Sequence, residues 1–158
     1  MSLYKRESTK IFLRERVARP ASAGVIITNK HDHALVLKAH YKPYWSFPGG
    51  WIEKNQTPLQ AAVRELEEET NILIDQEQLS FAFILNRVSD IMQSYQFIFK
   101  SSLEVDESHD IVAQDSEIEA WRFVSREEVL ADKSSYGSAV VLWAENTNAG
   151  YFEHEVRI

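Results

Sequence analysis

Cysteine is absent from the sequence, so disulfides and thiolate metal sites are excluded, and a reducing, cytoplasmic setting is the natural expectation. Glycine and proline are scarce, at 5 and 4 residues, which rules out a fibrous or low-complexity chain. The longest apolar run, Ala139 to Ala144, falls far short of the ~20 residues that cross a membrane as a helix. The opening stretch MSLYKRESTKIFLRERVARP has no apolar core long enough for a secretory signal. Basic charge is also in deficit. With 17 Lys and Arg against 24 Asp and Glu, the net charge is −7, which argues against stable binding to a nucleic-acid backbone. An acidic protein can still bind an anionic substrate when a metal ion mediates the contact.

The 158 residues, 44% hydrophobic and 26% charged, fit one soluble domain over 1–158, with 1–20 as an N-terminal extension or an edge strand. SAGVIITN and HALVLKAH read as strands around a polar turn at Lys30 to His33. YWSFPGGW reads as a Pro-Gly loop, and LSFAFILNRV, SYQFIFKSSL and EAWRFV as further strands. Helices are expected from Thr57, from Ser125 (with Glu128 completing a capping box) and over SAVVLWAEN. Strands mixed with a few helices indicate the α/β or α+β class.

The helix from Thr57 is the most informative stretch. Thr57 suits the cap, Pro58 the first helical position, and Gln60 the reciprocal capping-box position. Winding at about 100° per residue puts Leu59, Ala62, Val63, Leu66 and Thr70 on one core-facing stripe. Glu65, Glu68 and Glu69 share a neighbouring face, while Glu67 and Arg64 fall elsewhere. Like charges at such spacing cost an isolated helix roughly 0.2–0.5 kcal/mol per pair, and the macrodipole disfavours them near the C-terminus. A solvated acidic face is one account. The other is a hard-oxygen site for Mg²⁺ or Mn²⁺, completed by carbonyls of the glycine loop just upstream.

Gly50 to Ile72 resembles the Nudix hydrolase signature, Gly-x5-Glu-x7-Arg-Glu-aliphatic-x-Glu-Glu-x-Gly-aliphatic. Gly50 is similar to its first glycine, Arg64-Glu65-Leu66-Glu67-Glu68-Glu69 to its second half, and Ile72 to its closing aliphatic residue. The flanks LVLKAHYKPYWSFPGGWIE and DSEIEAWRFVSREEVL are also similar to that family, so the resemblance runs from about Ala21 to Leu130. It implies an α/β/α sandwich with a mixed β-sheet, and metal-dependent hydrolysis of a nucleoside diphosphate linked to another moiety. It implies Glu65, Glu68 and Glu69 as metal-binding and catalytic carboxylates, aided by a carbonyl of Gly49 or Gly50. The cofactor would be Mg²⁺, with Mn²⁺ as an alternative, and the partner a small nucleotide-type substrate. Bound metal lowers the pKa of a water. A glutamate would then take its proton, either Glu65 or Glu117 of the acidic segment Glu104 to Glu119. Members of the family often form homodimers.

Lys38 and His40 could face the phosphates from their strand end, or be plain surface residues. Trp45, with Tyr44 and Trp51, could stack on a base or pack as a lid. His31, His33, His109 and His154 show no metal-ligand spacing. Three positions depart from the signature: Gln56 stands for its first glutamate, Asn71 for its last glycine, and Asn55 where glycine is common. Asparagine tolerates positive φ, so the last two are mild. Gln56 keeps an acceptor for Arg64 but loses the charge-assisted part of the bond. Three functions follow: a Nudix pyrophosphohydrolase, a catalytically weak Nudix module that senses a nucleotide, or a domain with a merely solvated acidic helix.

Overall fold

The segment Ala21–Thr28 (β1) is buried at every position but its first, as a strand covered on both faces must be. Around it the computed structural model builds Ala34–Ala39 (β2), Trp45–Ser46 (β3), Gly49–Trp51 (β4), Leu79–Val88 (β5), Gln93–Glu104 (β6), Ile118–Val124 (β7) and Gly150–Glu155 (β8). The helices are Arg6–Arg14 (α1), Pro58–Thr70 (α2), Arg126–Ala131 (α3) and Ser138–Glu145 (α4). The structure describes residues 6–14, 16–106, 109, 111–113, 116–145 and 148–155, so the acidic segment 104–119 lies partly outside the described residues. The sheet order is β3-β2-β1-β6-β5-β8, with β4 joined to β1 and β7 to β2. It is mixed, since β1 runs parallel to β6 and β5 to β8, while the other pairs are antiparallel.

Alternation along the strands divides the core in two. Ala23, Val25 and Ile27 of β1, with Leu35 and Leu37 of β2, pack under Ala61, Ala62 and Leu66 of α2. Their neighbours Ile26, Ala34 and Val36 turn to the other face, against Val129 of α3 and Val140 and Trp143 of α4. Helices therefore cover both faces of one mixed sheet, the sandwich that the sequence led us to expect.

The start of α2 is closed as its sequence dictates. The Thr57 hydroxyl accepts from the Gln60 amide at 3.2 Å, and the Gln60 side chain accepts from the Thr57 amide at 2.9 Å. At the other end Asn71 takes a left-handed φ of 60°, and its amide donates to the Glu67 carbonyl at 2.8 Å. Asn55 also lies at positive φ, 65°. Ser125 caps α3 with the reciprocal Glu128 bond.

Three elements depart from expectation. Residues 6–14, expected as part of an N-terminal extension or an edge strand, form a helix; its side chains Ile11, Phe12 and Leu13 are exposed. The YWSFPGGW stretch is not loop throughout, because β3 and β4 are held by pairing to β2 and β1. Glycine pairs have low strand propensity, so only partners distant in sequence could make this a strand. β8 gave no sequence signal, yet it pairs in parallel with β5 and packs Phe152 edge-on to Phe83 at 5.9 Å.

Candidate active site

The glycine pair lies against the central strand, with Gly49 opposite Gly24 and Gly50 opposite Ala23. Gly49 has a φ of +153°, and a Cβ there would run into the Ala23 carbonyl. Its amide donates to Glu69 Oε2 at 2.7 Å. At Gly50 the space of the missing Cβ is filled by the Glu65 carboxylate, with Oε2 2.6 Å from the Cβ position. The two glycines thus let the C-terminal half of α2 press two carboxylates onto the sheet. Glu69 is only 5% exposed.

Burial has an electrostatic cost at both carboxyls. Burial pushes Glu69 up to about 7; the Gly49 N–H bond and Lys42 oppose the shift, and Glu65 and Glu117 add to it. Burial also raises Glu65, against the pull of Arg64. Arg64 is the hub of the outer side. Its Nη2 lies 2.8 Å from Glu65 Oε1, and its Nη1 lies 2.7 Å from Glu68 Oε2. Nη2 also donates to the Trp51 carbonyl at 3.0 Å and to Gln56 Oε1 at 3.4 Å. Gln56 Oε1 in turn accepts from the Glu53 amide at 3.1 Å. Gln56 therefore ties the loop to Arg64 through a neutral acceptor. Replacing it by glutamate should strengthen that contact by up to about 1 kcal/mol, seen as a rise of ~2–4 °C in the thermal midpoint. An unchanged midpoint in Gln56→Glu would show the contact to be slack.

In chemistry the donor set fits a hard divalent cation: three carboxylates, one of them buried beyond its comfort, beside main-chain carbonyls. In placement it is not preassembled. Among the described residues no three acidic or imidazole side chains converge on one point, because Arg64 holds Glu65 and Glu68 aside. A cation at this site would have to draw them from the guanidinium.

The other residues singled out by sequence are placed as follows. Glu117 is exposed, immediately before β7, near enough to raise both Glu65 and Glu69, and its carbonyl accepts from the His40 amide at 3.0 Å. His40 is exposed at the end of β2. Lys38 pairs with Trp45 and Ala120, which puts it on the sheet face with Val36, opposite α2. Trp45 packs against the second core cluster and lies 4.7 Å under the Arg122 guanidinium. Lys42 and Tyr41, in the connection after β2, also lie within electrostatic reach of the carboxylates. Burial lowers Lys42, Glu69 counters it, and Arg87 depresses it further; burial and then Glu69 and Glu117 raise Tyr41. Sequence reading missed Lys42 and Arg87. The strand alternation of β2 separates Lys38 from Leu37 and Ala39, but only the packed helix shows which face matters.

Known proteins resemble this chain in sequence and in fold. The profile of the NUDIX domain matches residues 18–143. Over 58 residues the chain is 43% identical to an 8-oxo-dGTP diphosphatase of Proteus vulgaris, covering 34% of this chain and 52% of that protein. The matched region thus spans about half of the relative's length. The fold resembles the MutT protein of Methanosarcina mazei Go1, with a TM-score of 0.68 at 20% identity, covering 82% of this chain and 94% of that one. It also resembles a bifunctional NMN adenylyltransferase/ADP-ribose pyrophosphatase of Francisella tularensis, solved with AMP and a Mn ion. There the TM-score is 0.64 at 20% identity, over 88% of this chain and 45% of that one.

Proposed function

The chain belongs to the NUDIX family, and from that premise we propose that it is a metal-dependent pyrophosphohydrolase, cleaving a phosphoanhydride bond in a nucleoside diphosphate linked to another group. The observation that carries this reading is the buried Glu69 carboxylate, fixed by the Gly49 amide with Glu65 lodged beside Gly50. The name of the Proteus relative, a diphosphatase, and the AMP and Mn ion of the Francisella structure support it. No helix among the described residues is long and apolar enough to cross a membrane. Cytoplasmic residence, a single domain over 1–158 and a homodimer belong to the same proposal.

Glu65, Glu68 and Glu69 would hold Mg²⁺ or Mn²⁺, with the Gly50 carbonyl assisting. When bound, such an ion neutralises the diphosphate and acidifies a water. The chain's own residues do the rest. The Gly49 amide orients Glu69, and Arg64 with Gln56 steadies the loop that carries the glycines. Glu65 or Glu117 takes the proton from the attacking water. Lys42 supplies positive charge beside the carboxylates, where the departing phosphate develops negative charge. Glu68 is exposed, so Glu68→Gln should leave the fold intact while lowering turnover of diphosphate substrates by about 100-fold with Mg²⁺. Full activity in this variant would remove Glu68 from the site.

A second reading, a nucleotide sensor with little turnover, has one observation in its favour: Arg64 engages Glu65 and Glu68 together, and Gln56 offers it no competing charge. A panel of nucleoside triphosphates, ADP-ribose, sugar-nucleotides and dinucleoside polyphosphates separates the two. Turnover of any compound supports the hydrolase; binding of one with turnover of none supports the sensor.

A further inference from the structure

Where α3 and α4 meet the sheet, a cavity of about 190 Å³ is lined by Ile26, Phe83, Lys100, Arg126, Trp143 and Asn148 among others. Ile26 pairs with Lys100, three residues along β1 from the Ala23 that pairs with Gly50, or about 10 Å at the usual strand rise. Ile26 also turns to the sheet face opposite α2. The cavity shares no lining residue with a second one at the other end of these strands, between Arg87 and the start of α4. Its polar lining consists largely of donors. Trp143 is only 3% exposed, and its indole Nε1 is buried with no hydrogen-bond partner. The Arg126 guanidinium lies 4.2 Å from the centroid of the Trp143 ring and donates to the Trp143 carbonyl, so cation and indole are held as one unit. Lys100 is exposed and joins no ion pair among the described residues. Asp32 lies 3.5 Å from Arg126 Nε, but no acidic residue lines the cavity among the described residues.

We propose that this cavity is a second ligand site, one for a phosphate oxyanion, with Lys100, Arg126 and the Trp143 indole N–H as its donors. Ammonium, guanidinium and indole donate and accept nothing, so a ligand here must bring both acceptors and negative charge. An oxyanion brings both. The donors come from β6, α3 and α4, three separate elements, and a tetrahedral group with oxygens on several sides suits them better than a flat carboxylate. The volume lies below the ~300 Å³ at which pockets for larger ligands begin, so the cavity holds a phosphate group and not a whole nucleotide. Ile26, Phe83 and Trp143 belong to the buried core, and such apolar surroundings strengthen a charge-assisted hydrogen bond. In a chain of net charge −7, a lining with two cations and no acid runs against the average of the surface. The phosphate can be the free ion or the end of a nucleoside monophosphate whose sugar and base stay outside. Phe81, which also lines the cavity and is half exposed, offers such a base a ring to rest on.

The site stands apart from the proposed hydrolysis, and its test does not depend on turnover. Binding is read by NMR in EDTA, where no metal can hold phosphate at the carboxylates, with ionic strength kept constant by sodium chloride. Inorganic phosphate should shift the assigned Trp143 indole N–H resonance saturably, with a Kd below about 10 mM. Lys100→Met should weaken that binding at least about tenfold, whereas Lys100→Arg, which keeps the charge, should retain most of it. Lys100 is exposed, so both variants should fold as the parent does. AMP separates the two sources of the group. A matching shift assigns the site to a terminal phosphate on any carrier, no shift assigns it to the inorganic ion, and either result sustains the proposal. No saturable shift with phosphate, an equal shift with chloride alone, or unchanged affinity in Lys100→Met overturns it. Phosphate binding here in a protein that hydrolyses no diphosphate would overturn the hydrolase reading alone.

Discussion

Glu69→Gln is expected to stabilise the metal-free protein at pH 8 while abolishing metal-dependent turnover. The carboxyl titrates at about 7 in the fold against 4.5 for an unperturbed group. Below pH 4.5 both states hold the proton and the residue costs nothing. As pH rises toward 7 the unfolded chain releases its proton first, so stability falls, and above 7 the penalty is constant at about 3 kcal/mol. Glutamine carries no charge and can still accept from the Gly49 amide. Its thermal midpoint in EDTA should therefore exceed that of the unaltered protein by ~6–12 °C at pH 8 and match it near pH 4. Adding Mg²⁺ should reverse the order, since only the carboxylate gains a ligand. Equal midpoints at pH 8 in EDTA would show that Glu69 is not strained as placed.

The two glycines should fail in different ways when each is replaced by alanine. At Gly49 the new Cβ meets the Ala23 carbonyl, and a φ of +153° suits no L side chain. Backbone cannot step aside cheaply, so Gly49→Ala should cost at least ~2 kcal/mol, read as a lowered denaturation midpoint in urea. At Gly50 the new Cβ meets the Glu65 carboxylate, the far end of a flexible side chain. Gly50→Ala should then stay within about 1 kcal/mol of the parent in stability and lose roughly 100-fold in kcat/KM, because Glu65 is displaced by more than an ångström from its position. A Gly50→Ala protein that folds and turns over normally would show that the contact between Gly50 and Glu65 has no part in catalysis.

What could be read from sequence was local. Thr57, Pro58 and Gln60 announce the start of α2, and Asn71 its end, because each acts on backbone within a few residues of itself. The face shared by Glu65, Glu68 and Glu69 follows from helical winding alone. Winding does not say that Glu69 is buried and Glu68 exposed; that asymmetry is set by the glycine pair arriving from β4. The strands β3 and β4 depend on hydrogen bonds to β2 and β1, and β8 on a parallel partner more than sixty residues away in β5. Arg87 looked like one more polar residue of a strand. Only the packing of α4 across the sheet turns it into the wall of a cavity. Lys42 belongs to a connection, whose course no periodicity predicts.

The pairing of β4 with β1 has a further consequence. Ile52 donates to Ala21 and Val25 to Pro48, both at 2.9 Å, so the segment that carries the glycines is stitched to the most deeply buried strand along its length. Such a segment opens only with the cooperative unit to which it belongs. The floor of the site therefore shares its rigidity with the whole sheet. The Tyr41–Lys42 turn beside it lies outside that ladder, held among the described residues by the bonds of the Lys42 amide to the Ala39 carbonyl and of the His40 amide to the Glu117 carbonyl.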